Sequence, residues 1–177
     1  MDAERLRAYL LTLPDAVETM QWGNNLVYWV GDKAIGGKMF ALINLDPPQE
    51  SSSRKPHYLL SFSAGPERYA ELLEFEGLAP APYMARIHWI AAEHWHVFSN
   101  TEWESHLQAA HALTLSKLPP RTRAVLALPA PQQKRLIAER RAVLAKPPVL
   151  TKPKPPAAAR KASPKNAAAA KKRAKKN

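Results

Sequence analysis

The sequence predicts an α+β domain with helices packed on an antiparallel sheet, followed by a basic C-terminal tail. β-Branched and aromatic residues between Val17 and Leu45 are broken by short turn sequences, which is typical of antiparallel strands. The connections between the predicted elements are too short for the crossovers that parallel strands require. All the aromatic residues (5 Trp, 5 Tyr and 4 Phe) precede Glu104, so only the first part of the chain can build a core.

The first helix is predicted to begin after Asp2, whose side chain can accept a hydrogen bond from the first turn. Leu6 and Leu10 follow at helical spacing, and Pro14 ends the segment. Three strands come next, separated by turns at residues 23–25 and 31–32. Their sequences are VETMQW, LVYWV and KAIGGKMFALINL.

The middle of the chain is predicted to add another strand, a second helix and further strands. Residues 46–56 (DPPQESSSRKP) are polar and proline-rich, so we expect an exposed, mobile loop there. The strand HYLLSFSA follows, and a helix begins at Pro66 and ends near Gly77. APAPYM interrupts regular structure, and RIHWIAAEHWHVF has the composition of one long or two short strands.

A third helix is predicted with Thr101 as its N-cap and Pro119-Pro120 as its end. Its apolar face consists of Trp103, Leu107, Ala110, Thr114 and Leu118. The predicted domain therefore spans residues 1–119.

The net charge of +11 lies entirely in the C-terminal part of the chain. Residues 1–119 hold 9 basic and 14 acidic side chains, whereas residues 120–177 hold 17 basic and one acidic. The two parts therefore carry −5 and +16, which sum to +11. Such a segregation of charge points to an anionic partner for the second part.

The C-terminal part itself divides into two segments. Residues 120–146 are predicted to form a basic linker and an amphipathic helix, which either docks on the domain or stays free. The apolar face of that helix consists of Leu136, Ile137, Val143 and Leu144. Residues 147–177 hold ten Lys/Arg, nine Ala and six Pro, too little apolar surface to offset chain entropy, so we predict a disordered tail.

Five segments together resemble the MmcQ/YjbR family over nearly all of residues 1–119: LPDAVETMQWG, GGKMFALINL, LLSFSAGPERYAELL, GLAPAPYMARIHWIAAE and HALTLSKLP. The best-matching positions are Trp22-Gly23, Lys38-Met39-Phe40-Ala41, Pro82-Tyr83-Met84 and His88-Trp89. The resemblance implies a compact fold of the order α-β(3)-α-β(2)-α and a role as a bacterial DNA-binding protein. In composition alone, the tail also resembles the Ala/Lys/Pro-rich tails of histone H1-like proteins.

Two positions depart from the family pattern. Ser63 stands where the family commonly has a lysine, and Ala110-His111 stands where a Ser-Tyr pair is common. The resemblance therefore carries neither an anion-binding lysine nor a tyrosine hydroxyl over to this chain.

The tail is the strongest functional signal, because each Lys or Arg laid along a duplex displaces condensed counterions. We predict a DNA-binding protein that contacts phosphates with little sequence preference, and RNA offers the same charge. The candidate tail residues are Lys152, Lys154, Arg160, Lys161, Lys165, Lys171, Lys172, Arg173, Lys175 and Lys176. A second candidate is a basic patch on the domain, formed by Lys38, Arg54, Lys55 and Arg86. The alternative function is a protein-interaction or small-ligand-binding module whose tail only improves solubility.

Several other classes of protein are disfavoured. Without cysteine the chain has no disulfide, thiolate metal site or cysteine nucleophile. It contains no Walker A loop, no G-x-S-x-G and no H-E-x-x-H, so neither an enzyme nor a cofactor is predicted. With no signal sequence or apolar run of membrane length, we expect a cytoplasmic, nucleoid-associated protein without a membrane partner.

Two clusters of side chains have both an ordinary and a functional interpretation. His94 and His96, with His88 or Glu93, could begin a metal site, but ordinary surface or half-buried histidines are favoured and no metal is predicted. Six aromatic residues could stack on bases, although aromatic residues on strands usually belong to the core. They are Trp22, Tyr28, Trp29, Trp89, Trp95 and Trp103.

Overall fold

The structure is a computed structural model and describes residues 1–46 and 57–145. The helices are α1 (Ala3–Leu10), α2 (Pro66–Leu72), α3 (Asn100–Ser116), α4 (Pro120–Leu126) and α5 (Ala130–Ala145). The strands are β1 (Ala16–Gln21), β2 (Asn25–Val30), β3 (Lys38–Asn44), β4 (Leu60–Ser63), β5 (Leu78–Pro80) and β6 (Trp89–Ala92). The loop predicted over residues 46–56 lies outside the described residues except for Asp46, as does the tail predicted over residues 147–177.

The strands form one sheet in the order β1-β2-β3-β4-β6-β5, and every neighbouring pair is antiparallel. The predicted α+β class is therefore confirmed. The strand predicted over HYLLSFSA is β4, the fourth strand before α2. The short edge strand β5 was not predicted, because it overlaps APAPYM, the proline-containing segment that was expected to interrupt regular structure.

The segment predicted as one long or two short strands over residues 86–98 holds only the four-residue strand β6. 3₁₀ helices at Ala85–Ile87 and Trp95–Val97 flank it. Trp95 and Val97 are partly buried against the core without being part of the sheet. Their aromatic and β-branched character thus reflects burial, which a strand prediction cannot distinguish from pairing.

Helices α1 and α3 cover one face of the sheet and enclose the main core. Leu6 of α1 and Trp103 and Leu107 of α3 are fully buried there. Trp103 meets Phe62 of β4 edge to face, with 6.2 Å between ring centroids. The predicted apolar face of α3 is therefore its packing face.

The N-cap of α3 is Ser99, so the prediction of Thr101 is wrong. Ser99 Oγ accepts from the Glu102 amide, and the Glu102 carboxylate accepts from the Ser99 amide at 2.8 Å. This reciprocal capping box needs an acid three residues after the cap. Glu102 satisfies that spacing from Ser99, and Glu104 satisfies it from Thr101, so the spacing alone fits either cap and the bonds formed decide for Ser99.

Residues Met1–Lys146 form one compact unit, so α4 and α5 belong with the sheet and its helices. Residues 147–177 lie outside the described residues. In residues 1–46 and 57–145, no helix combines the length and apolar character needed to cross a bilayer.

The Glu18 carboxylate of β1 ties α1 to the sheet. It accepts two hydrogen bonds from the Arg7 guanidinium, at 2.7 and 2.9 Å, and one from the buried Tyr28 hydroxyl at 2.8 Å. The bonds from Arg7, aided by the bond from Tyr28, lower the pKa of Glu18 below its ordinary value of 4.5. Burial, with the Glu18 carboxylate beside it, raises the pKa of Tyr28 well above its ordinary range.

We expect Glu18→Gln to lower the free energy of unfolding by about 1–2 kcal/mol at neutral pH, because the bonds from Arg7 and Tyr28 lose a charged acceptor. Since the folded-state pKa of Glu18 is depressed, its stabilisation is present above the ordinary pKa of 4.5 and is lost as the pH falls through the folded-state pKa. Urea denaturation at several pH values measures this. The difference in free energy of unfolding between wild type and Glu18→Gln should shrink in acid. Exposed Glu74→Gln should have nearly the wild-type free energy of unfolding at every pH. A difference for Glu18→Gln that does not change with pH would contradict the role assigned to its charge.

Candidate functional site

The connection between β2 and β3 is a tight turn built around the buried side chain of Asp32. Asp32 Oδ1 accepts from the Ala34 amide at 2.8 Å and caps a 3₁₀ helix, Lys33–Ile35. The Asp32 carbonyl accepts from the Gly37 amide at 2.9 Å. A Cβ atom at Gly37 would lie 1.9 Å from the Gly31 carbonyl oxygen, so only glycine fits there.

Helices α4 and α5 attach to this turn through two polar contacts. The buried Thr122 hydroxyl of α4 donates to the Ile35 carbonyl at 2.7 Å. The Arg141 guanidinium of α5 donates to Asp32 Oδ2. The helix predicted over residues 132–146 is therefore docked on the domain. None of the four residues of its predicted apolar face is buried, and Leu144 is 62% exposed.

The two helices carry six exposed basic residues, which we call together the C-terminal basic surface. Its members are Arg121, Arg123, Lys134, Arg135, Arg140 and Arg141. Glu139 is the one acidic residue between residues 120 and 145, so six basic side chains and one acidic give this segment +5. Arg135 pairs with Glu139 at 2.8 Å and Arg141 with Asp32. In the part of the chain that the structure describes, the other four make no ion pair.

Part of this surface continues onto the β2–β3 turn. Lys33, Arg121 and Arg140 line a shallow cavity of about 650 Å³ between the 3₁₀ helix, α4 and α5. Apolar side chains, including Leu136 and Leu144, complete the cavity wall. The surface thus combines cationic and apolar groups.

The structure describes two of the four residues predicted for a basic patch on the domain. Lys38 begins β3, and its Nζ donates to the Lys117 carbonyl at 2.8 Å, at the C-terminal end of α3. Arg86 lies exposed in the 3₁₀ helix Ala85–Ile87. Arg54 and Lys55 lie outside the described residues. The same holds for the ten candidate residues of the tail between Lys152 and Lys176.

The basic residues of α4 and α5 were not among the predicted site residues. Their sequence predicted only a basic linker and an amphipathic helix. The available signal was the charge count over residues 120–146, where seven basic residues stand against one acidic. Contacts distant in sequence, such as Arg141 with Asp32, place that charge on the folded unit, and no local pattern encodes them.

His94 and His96 do not lie on a strand, contrary to the prediction. They flank and enter the 3₁₀ helix Trp95–Val97, where their rings stack with 4.9 Å between centroids. Within residues 1–46 and 57–145, no three His, Asp or Glu side chains converge as metal ligands. His111, which was not assigned a role, is buried in α3 and its Nε2 bonds to the Pro14 carbonyl at 2.8 Å.

Most of the aromatic residues considered for base stacking belong to the core. Tyr28, Trp89 and Trp103 are buried. Trp29 donates to Thr19 at 2.8 Å and carries the Lys33 ammonium 5.0 Å above its ring. Trp95 packs against the core. Trp22 differs from them, since its side chain is 64% exposed in the β1–β2 turn.

Comparison with known proteins places the sequence in a family. The family model for YjbR matches residues 11–113, more than half of the chain, so the chain belongs to the YjbR family. A solved structure, protein DR2400 of Deinococcus radiodurans with a DUF419 domain, is similar at 25% sequence identity and a TM-score of 0.57. That similarity covers 71% of this chain and 88% of that one. No curated protein matches the sequence.

We expect Arg141→Ala to loosen α5, because it removes the guanidinium that Asp32 holds against the β2–β3 turn. Amide hydrogen exchange across residues 130–145 measures this, with an expected acceleration of about threefold or more. Arg140→Ala is the matched control, since Arg140 is an exposed neighbour without an ion pair among the described residues. Equal exchange in the two variants would show that Asp32 does not hold the helix.

Proposed function

We propose that this YjbR-family protein binds DNA through phosphate contacts of its C-terminal part, with little sequence preference. One observation carries the proposal: residues 120–177 hold 17 basic side chains and one acidic. Neutralising phosphates releases condensed counterions, which supplies affinity without any groove-reading element. Alanine-spaced lysines offer point charges to phosphate and few groups suited to base edges, so sequence preference should be small.

The C-terminal basic surface supports this proposal from the folded side. Four of its cations, Arg121, Arg123, Lys134 and Arg140, are exposed and make no ion pair among the described residues. Residues 1–119 carry −5, so a phosphate backbone would be attracted to α4 and α5 rather than to the sheet. The basic residues of this surface and those of residues 147–177 would each contribute phosphate contacts, and the chain would bind without catalysing a reaction.

Phosphate attraction alone does not distinguish DNA from RNA, because both present the same repeating charge. We propose DNA as the partner, at the nucleoid of a bacterial cytoplasm, and treat RNA as an outcome to be measured. Equal affinity for a DNA duplex and an RNA duplex of one sequence at matched salt would widen the proposal to nucleic acids in general.

Replacing all ten Lys/Arg of residues 147–177 by Gln should weaken binding to a labelled DNA duplex and flatten its salt dependence. If about six to ten cations of the whole C-terminal part contact phosphates, wild-type affinity should fall about 10³–10⁵-fold between about 50 and 200 mM salt. Each lost contact should reduce the slope of log affinity against log salt by about 0.9. Fluorescence anisotropy over a salt series measures both quantities.

A tail of the same composition in scrambled order is the matched control for that experiment. It keeps length and charge, so its binding should equal that of the wild type. An unchanged salt slope in the Gln variant would assign binding to the folded unit. A strong preference for one sequence at physiological salt would contradict phosphate-only recognition.

A further inference from the structure

The face of the sheet opposite α1 and α3 carries a cavity of about 640 Å³. Leu42 of β3 and Ser61 of β4 face each other in the strand register and form part of its floor. Met39 and Met84 contribute flexible apolar side chains to its lining. The volume is within the range of about 300–1,000 Å³ that is typical of small-molecule sites.

Two aromatic side chains at this cavity are exposed to solvent. Trp22 is 64% exposed and Tyr83 fully so, although both line the cavity. They come from distant parts of the chain, the β1–β2 turn and the segment between β5 and β6. Both belong to segments that carry the family resemblance.

Both residues also adopt backbone conformations that bulky side chains rarely adopt, with φ of 50° at Trp22 and 63° at Tyr83. Gly, Asn and Asp are the residues that usually adopt left-handed positions such as that of Trp22. Backbone geometry therefore does not explain these two side chains, and neither does burial. Strain of this kind concentrates at ligand-binding sites.

The polar character of the cavity narrows the chemistry of a ligand. The Nε2 atom of His57 is shielded from solvent and has no hydrogen-bond partner among residues 1–46 and 57–145. Buried polar groups nearly always have one, so a bound molecule that shifts the His57 ring enough to reach this nitrogen would supply the missing bond. None of the described lining residues is Asp, Glu, Lys or Arg, so these residues offer no ion-pair partner to a charged ligand and favour a neutral one.

We propose that this cavity binds a neutral, planar heteroaromatic molecule of about nucleobase size. Its ring packs against Trp22 and Tyr83 with the methionine side chains beneath, and its polar edge reaches His57 Nε2. Such a ring could be a free small molecule or a base held in a single strand. Both share this recognition chemistry, which is independent of the C-terminal charge.

The test is a ¹H–¹⁵N NMR titration of the full chain with adenine at high salt, with cyclohexanol as a matched ring that lacks aromaticity and ring nitrogens. Adenine should bind saturably, about tenfold or more tightly than cyclohexanol. Trp22→Asn and Tyr83→Asn should each weaken adenine binding about tenfold, and His57→Phe about threefold. Asn tolerates the left-handed conformation, so both of the first variants should fold, as circular dichroism will check. Exposed Leu11→Asn, at the end of α1, should leave binding unchanged.

A second titration distinguishes the two sources of the ring. Oligothymidine and an abasic strand of equal length are compared at the same high salt, with wild type and Trp22→Asn. If oligothymidine binds and the abasic strand does not, and if Trp22→Asn abolishes the binding of oligothymidine, the ligand is a base held in a strand. No saturable binding of either adenine or oligothymidine, equal binding of cyclohexanol, or insensitivity to both aromatic variants would overturn the proposal. Duplex binding at low salt should be unaffected by Trp22→Asn, so the two proposals fail separately.

Discussion

Helix α5 is tied to the β2–β3 turn by one buried carboxylate, that of Asp32. Its two oxygens have different partners, the Ala34 amide of its own turn and the Arg141 guanidinium of α5. A buried carboxylate without such partners would be costly, so the turn and the helix depend on each other. Gly37, where no Cβ fits, closes the turn so that these partners meet. The resulting contact joins the acidic residues 1–119 to the basic extension, residues 120–177.

Because α5 is attached at the β2–β3 turn, the two faces of the sheet are covered to different extents. The face against α1 and α3 contains the aromatic core around Phe62 and Trp103. On the other face, α5 approaches Thr19 and Trp29 near one end of β1 and β2. The cavity that contains Ser61 lies further across the same face. Helix α5 covers one end of this face, so the face is open to a ligand only where α5 does not lie over it.

The sequence predicted local features better than contacts between distant segments. Helical spacing identified α3, and the composition of residues 17–45 identified three neighbouring strands, because these patterns record which side chains are buried. The cap at Ser99 and the extent of β6 were missed, since they depend on a reciprocal bond and on pairing partners. The docking of α5 was left open for the same reason. Among site residues, charge count revealed the basic extension, while the pairing of Trp22 with Tyr83 around one cavity has no local signature.

The two proposed sites use opposite electrostatics, and this makes them separable. The basic residues of the C-terminal part attract phosphate through long-range charge, which is screened over about 8 Å at physiological ionic strength. A cavity without Asp, Glu, Lys or Arg among its described lining residues recognises shape, stacking and one buried nitrogen, which salt screens little. Raising the ionic strength therefore weakens binding at the first site and leaves binding at the second nearly unchanged. A YjbR domain with both would first be drawn to a nucleic acid by its extension and would then hold a single neutral ring at its sheet face, each step with its own dependence on salt.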